Sequence, residues 1–379
     1  MAHVKLDLVA TSTFGLEAVV MRELATLGHA DARSPQTGRV EFSGDATALV
    51  RANIWLRSAD RILVRVARRE GITDFDTLLD LSYELPWEEW IAPDAAFPVA
   101  GRSIKSGLAS VPAVQRTVKK AIAERLLRAH RCRHLPESGA TVAVEAALLK
   151  DCLTLTIDSS GPGLHKRGYR DLTAAAPLRE TLAAALVELS FWKRDRPLID
   201  PFCGSGTIAI EAAMIGRNMA PGLRRGFAAE EWDAIDQRIW HEQRRAAEAA
   251  VQPPMQERII ATDLDEQALS MARRHAERAG VAEDIHFQRL AFHELSSSRK
   301  YGCLITNPPY GIRMEDRRDV LELYESMPEV FERLPTWSFF ILTSWPGFEQ
   351  VVGRRAERRR KLYNAQIECT YYQFHGPRP

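Results

Sequence analysis

The N-terminal third of the chain switches repeatedly between a two-residue and a helical period. Residues 4–10 alternate apolar and polar as a half-buried strand does. Leu16, Val19, Val20, Leu24 and Leu27 then recur at helical spacing, and Gly28 closes that helix. A strand follows at Arg39–Phe42, a helix at residues 45–56 and an alternating strand at Arg61–Val66. This β-α-β-α-β order is the ferredoxin-like pattern, and it predicts a first domain over residues 1–65. A second set follows: a helical segment at Phe75–Leu81, strands at Ala96–Val99, Thr141–Glu145 and Cys152–Ile157, and a long helix at Val111–His130. The helix carries Val114, Val118, Ile122 and Leu126 as an i+4 stripe, with Arg116, Lys119, Lys120, Arg125 and Arg128 largely off it.

Residues 158–163, Asp-Ser-Ser-Gly-Pro-Gly, mark the next boundary. Beyond them the text reads as strands followed by helices. Residues 176–191 predict a long apolar helix with Pro177 in its first turn. Leu198–Asp200 reads as a strand, and Thr207–Ile215 as a helix apolar nearly all round. Strands at Arg258–Thr262, His286–Arg289 and Cys303–Ile305 complete the pattern.

Composition adds limits. The chain has 379 residues, 45% hydrophobic and 27% charged, and no apolar run near the ~20 residues of a membrane helix. The N-terminus has no apolar signal core, so a cytoplasmic protein is expected. Five cysteines without a CxxC pair argue against zinc and against a disulfide framework, and no metal is expected. Net charge is only +1, but its distribution is uneven. Between Gly101 and Leu135 there are nine Lys or Arg against one acid, and between Val351 and Leu362 six against one. Such patches suit phosphate binding, with a solvated helix face as the alternative.

Two segments carry the chemistry. The first is Asp200-Pro-Phe-Cys203-Gly204-Ser205-Gly206-Thr207 between strand and helix. Its glycines permit positive φ and let backbone approach a ligand. The spacing differs from the dinucleotide G-x-G-x-x-G, and Asp200 suits a cationic group. Asp263 ends the following strand, where an acid can accept both ribose hydroxyls, with Asp265 as the helix N-cap or as the alternative ribose ligand. The second segment is Asn307-Pro308-Pro309-Tyr310. Asn307 offers a side-chain carbonyl acceptor, Pro308 a backbone one, and Tyr310 a face for a base.

Together these two segments resemble the class I S-adenosylmethionine (SAM) methyltransferases that act on exocyclic amino groups of nucleobases. The text Gly101-Arg102-Ser103 followed by residues 110–122 resembles the THUMP domain, an RNA-binding module, over about residues 65–158. Leu164–Arg170, the insertion with residues 218–225 and Trp232, and the tail Arg360–Asn364 are similar to bacterial THUMP-containing RNA methyltransferases of the YpsC/RlmL type.

The resemblance implies an α/β chain: a ferredoxin-like domain (1–65), a THUMP domain (66–158) and a Rossmann-like methyltransferase domain (159–379) on a mostly parallel seven-stranded sheet. It implies SAM held by Pro177, Leu178, Asp200, Cys203, Gly204, Ser205, Gly206, Thr207, Asp263, Leu264, Ala291 and Asn307, with Asn307, Pro308 and Tyr310 catalytic. Ala291 stands where the family often has an Asp for the adenine amino group, so backbone and apolar contacts, or a shifted register, take that place. RNA would meet Arg102, Lys105, Arg116, Lys119, Lys120, Lys166 and Arg167. The insertion between Ile215 and Glu257 is expected to shape the substrate side. The implied activity is guanine-N2 methylation of 23S rRNA; the alternatives are a tRNA guanine-N2 enzyme, a DNA adenine-N6 enzyme and a non-catalytic RNA-binding factor. The sequence does not set an oligomeric state.

Overall fold

A computed structural model describes residues 5–171, 178–310 and 317–378. It divides into two compact units, one of residues 1–12, 21–164 and 225–246, the other of residues 13–20, 165–224 and 247–379.

The first unit holds β1 (Leu6–Ser12), most of α1 (Glu17–Thr26), β2 (Arg33–Gln36), β3 (Arg39–Gly44), α2 (Ala46–Trp55) and β4 (Ala59–Arg69). It continues with α3 (Phe75–Glu84), β5 (Val99–Ile104), α4 (Val111–Ala129), β6 (Ala143–Leu149) and β7 (Cys152–Asp158). The strands form one sheet in the order β2-β3-β1-β4-β7-β6-β5. The eleven-residue β4 makes this possible, because it pairs antiparallel with β1 on one side and with β7 on the other. The ferredoxin-like and THUMP-like segments therefore share one continuous sheet. On α4 the stripe Val114, Val118, Ile122 and Leu126 is buried, as its i+4 spacing requires.

Three features differ from the sequence reading. Strand β2 was not expected: Arg-Ser-Pro-Gln has no apolar alternation, and it survives as an edge strand, where Pro35 is tolerated. The strand expected at Ala96–Val99 runs at Val99–Ile104, with Ala96 making only a bridge to Thr141. The insertion does not stay wholly with the catalytic sheet, because residues 225–246 join the first unit. There Trp232 Nε1 donates to Thr141 O at 3.0 Å, its ring meets Trp90 edge-on, and Ala229 N donates to Ser159 O at 3.1 Å. Its large aromatic side chains have a buried surface to fill there.

The second unit holds α5 (Glu180–Glu188), β8 (Leu198–Asp200), α6 (Thr207–Gly216), the end of α7 (Gln237–Ala249), β9 (Ile259–Asp263), α8 (Glu266–Ala279) and β10 (Ile285–Arg289). Then come β11 (Cys303–Thr306), α9 (Arg317–Glu325), α10 (Met327–Arg333), β12 (Ser338–Thr343), α11 (Phe348–Val352), β13 (Arg358–Asn364) and β14 (Ile367–Phe374). The sheet order is β10-β9-β8-β11-β12-β14-β13. The first five strands are parallel and the last two antiparallel. Every residue of β11 and β12 is buried, which explains why these strands read as continuous apolar runs. The chain leaves β8 toward β9 on one side and returns to β11 on the other. In open sheets of this kind ligands bind at the carboxyl ends beside such a reversal.

Helix α5 begins at Glu180, later than the expected residue 176, and ends at Glu188 instead of Phe191. Pro177 lies outside the described residues. Among the described residues no helix is long and apolar enough to cross a membrane.

Candidate active site

The glycine-rich loop leaves the carboxyl end of β8 and enters α6 through two left-handed residues, Gly204 (φ +51°) and Gly206 (φ +82°). At Gly206 an added Cβ would also come within 3.0 Å of the Ala272 Cβ on α8, so only glycine fits without strain. At Gly204 an added Cβ would meet nothing within 4 Å. The carboxylate that closes β9 holds this loop: Gly204 N donates to Asp263 Oδ2 at 2.8 Å, and Asp265 N to Asp263 Oδ1 at 3.0 Å. Asp265 caps α8 by accepting from Gln267 N at 2.8 Å. The two acids thus have separate duties, with Asp263 on the cavity and Asp265 on the helix end.

Asp200 is buried at 1% exposure. Its Oδ1 accepts from Thr306 Oγ1 at 2.8 Å and from Phe202 N at 3.4 Å. It links β8 to β11, the strand that delivers Asn307. Burial raises its pKa to about 7, against the opposing pull of those two hydrogen bonds. Burial also pushes the Cys203 thiol well up, so it stays a thiol and not a nucleophile. Ser205 Oγ lies 3.4 Å from Thr207 Oγ1, and His275 Nδ1 sits 3.2 Å from Ser205 O beneath the loop.

A cavity of about 780 Å³ opens at these strand ends. Asp263, Leu264, Ala291 and Asn307 all line it, with Phe202, Phe292 and the α9 residues Asp319 and Leu323. Phe202 and Phe292 stack with centroids 5.2 Å apart. Ala291 directs its N–H to Glu294 Oε2 at 3.1 Å and presents only a methyl group as side chain. The lining residues of α9 escaped the sequence reading, although an amphipathic segment directly after Asn-Pro-Pro-Tyr was the available signal. The donor set fits SAM: a held carboxylate for a vicinal diol, flat apolar walls for a purine and a glycine loop for the amino-acid end.

Asn307 follows the last residue of β11. Tyr310 OH donates to Asn307 Oδ1, which orients the amide. The Tyr310 ring packs against the core of the second unit and is not among the residues that line the cavity. In this conformation it does not offer the stacking face expected from sequence, because its hydroxyl is turned inward and burial holds it protonated. Pro309 lines the cavity, and its carbonyl accepts from Tyr324 OH at 2.8 Å.

The basic residues separate by environment. Arg102, Lys105, Arg116, Lys120 and Lys166 are exposed. Lys119 is bound to Glu137 at 3.0 Å and lies over the Phe97 ring. Arg167 must be corrected: it is 3% exposed and faces Glu211, itself fully buried, at 3.4 Å, so it cannot meet RNA. It belongs to a buried group below the glycine loop, in which Tyr169 OH donates to Glu211 and Arg170 binds Thr207 Oγ1 and Glu180. The resemblance set Arg167 among the RNA contacts, and nothing in the sequence warned against it, because a buried ion pair has no periodic signature.

A glycine loop after the reversal strand, an acid closing the next strand and Asn-Pro-Pro-Tyr after β11 define a class I methyltransferase domain. The chain belongs to the RMKL-like methyltransferase-domain family, whose model matches residues 167–373. The RlmL ferredoxin-like domain matches residues 7–63 and the THUMP domain residues 73–158. YpsC of Bacillus subtilis (strain 168), which carries the provisional name of an RNA methyltransferase, is 45% identical over 372 residues, covering 98% of this chain and 96% of that protein. A crystal structure from Listeria monocytogenes, called a predicted N6-adenine-specific DNA methylase, matches with a TM-score of 0.93 at 46% identity, covering 99% and 97% of the two chains. SMU.472, provisionally called a methyltransferase and crystallised with SAH, matches with a TM-score of 0.93 at 41% identity over 99% of both chains.

Proposed function

We propose that this chain is a cytoplasmic SAM-dependent RNA methyltransferase that modifies the exocyclic N2 amine of a guanine in 23S rRNA. One observation carries the reading: Asp263 and Asn307 line the same cavity, at the carboxyl ends of the two parallel strands, β9 and β11, that flank β8. A ribose held at the first would bring a donor molecule up to an amide oxygen at the second.

Bound SAM supplies a sulfonium-activated methyl group. Asp263 would accept from its ribose hydroxyls, Leu264, Ala291 and Phe292 would hold its adenine, and the backbone of residues 203–207 with Leu178 would take its amino-acid end. An exocyclic amine is a weak nucleophile because its lone pair is delocalised into the ring. Asn307 Oδ1 has two lone pairs, one engaged by Tyr310 and one left to accept an amino hydrogen. The Pro308 carbonyl accepts the second. These acceptors make the nitrogen more tetrahedral and aim its lone pair, so rate comes from positioning and preorganised dipoles.

The choice of RNA rests on the THUMP match, on the RNA methyltransferase name of YpsC and on the exposed basic residues of α4. The Listeria relative's name favours a second reading, DNA adenine-N6 transfer. Purified protein given labelled SAM with 23S rRNA, tRNA or duplex DNA separates them. N2-methylguanosine in 23S rRNA is expected; the same nucleoside only in tRNA moves the substrate, and N6-methyladenine in DNA overturns the reading.

A further inference from the structure

We propose that Tyr324 is a positioning residue for methyl transfer, the last link of a one-way hydrogen-bond chain that fixes the Asn-Pro-Pro-Tyr turn. This rests on the reading above, that the turn grips an amino group.

Tyr324 projects from α9 and is fully buried. Its hydroxyl lies 2.8 Å from Pro309 O and 2.8 Å from Thr343 Oγ1, on the last residue of β12. Thr343 Oγ1 in turn accepts from Trp345 N at 3.0 Å. The direction of every proton follows from the ends. A peptide carbonyl can only accept, so the single phenolic proton goes to Pro309 O. Thr343 must then donate to Tyr324, and Trp345 N–H donates to Thr343. Burial raises the phenol's pKa, so the proton is present at any working pH. Hydrogen bonds in series and in a dry site polarise one another in the same sense.

The register places this chain where it acts on the turn. Thr306 pairs with Ile341, so Thr343 lies beside the turn that leaves β11. By holding the Pro309 carbonyl, Tyr324 fixes the peptide plane two residues beyond Asn307. Asn307 lines the cavity at the start of this turn, so a fixed turn fixes where its amide oxygen stands. The chain therefore sets the position of the turn that carries Asn307, and not merely how well α9 packs. Packing is supplied by the ring, which meets Trp345 and Phe348 edge-on at 5.7 and 5.0 Å.

Tyr324→Phe keeps the ring contacts and deletes only the hydroxyl. The test uses the RNA that the wild-type protein methylates; a wild-type protein that methylates none overturns the underlying reading before any variant is compared. Tyr324→Phe is expected to lower kcat by about tenfold to a hundredfold, the scale of a small misplacement of reacting groups. KM for RNA and the Kd for SAM should stay within about twofold, since the hydroxyl touches neither. Thr343→Val should lower kcat in the same way, Thr343→Ser should restore it, and the double variant should be no slower than Tyr324→Phe alone. A Tyr324→Phe enzyme with wild-type kcat, a fall in SAM affinity matching the fall in kcat, or losses that multiply in the double variant would overturn the proposal. If Tyr324→Phe does not fold, the Thr343 pair decides: loss with Val and recovery with Ser supports the chain, and any other pattern refutes it.

Discussion

At the scale of single residues, two carboxylates in one site have different work because their surroundings differ. Asp263 lines the cavity and has its oxygens oriented by two backbone N–H groups, so it is available to a ligand. Removing it should weaken SAM binding by about tenfold to a hundredfold, as expected for hydrogen bonds to a charged group. Calorimetric titration of Asp263→Ala checks this, and undiminished affinity would reassign the ribose. Asp200 is enclosed, and its pKa of about 7 stands above the usual carboxylate value. The folded state therefore holds a proton that the unfolded chain has released over this interval. Its contribution to stability is complete below about pH 4 and is lost as pH rises toward 7. Relative to Asp200→Asn, the wild type should lose stability across that window, with a slope of at most about 1.4 kcal/mol per pH unit. Denaturant melts at several pH values measure the difference, and parallel curves would show that burial does not hold the proton. Asp263 was legible from its place after a strand. The buried state of Asp200 was not, since a strand-terminal Asp reads alike whether it faces a ligand or a neighbouring strand.

At the scale of elements, periodic segments were legible and unpatterned ones were not. The i+4 stripe of α4 and the run of β11 announced themselves, because burial on one face or on both leaves a repeat in the text. Strand β2 and residues 225–236 carry no such repeat, and their places depend on long-range partners. The charged residues of α4 show the same limit. Sequence lists them together, whereas the fold engages Lys119 with Glu137 and Arg125 with Glu88, pairs Lys120 only with the exposed Glu124 at 3.8 Å, and leaves Arg116 and Lys120 exposed. Reversing Arg116 and Lys120 to Glu should weaken RNA binding and lower its salt slope by about one to two. A salt titration of binding decides, and an unchanged slope would make this face ordinary solvated surface.

At the scale of the whole molecule, one chain combines a seven-stranded mixed sheet of the ferredoxin-like and THUMP kind with a seven-stranded methyltransferase sheet. The division of labour follows from what each offers. The second unit has the cavity, the acid and the amide oxygen that chemistry on an amine needs; the acid and the amide are legible in the sequence, and the α9 wall of the cavity is not. The first unit has exposed cations and an RNA-binding family fold, which bear on the choice of substrate. The central claim lies in the second unit: the Asn307 amide oxygen grips the amine that is methylated. Asn307→Ala measures it most directly, with turnover and SAM affinity determined on the same preparation. Turnover should fall by about a hundredfold or more, the scale of losing one preorganised polar group, while SAM affinity stays within a few-fold of wild type. Turnover close to wild type, with SAM bound equally well, would contradict the account.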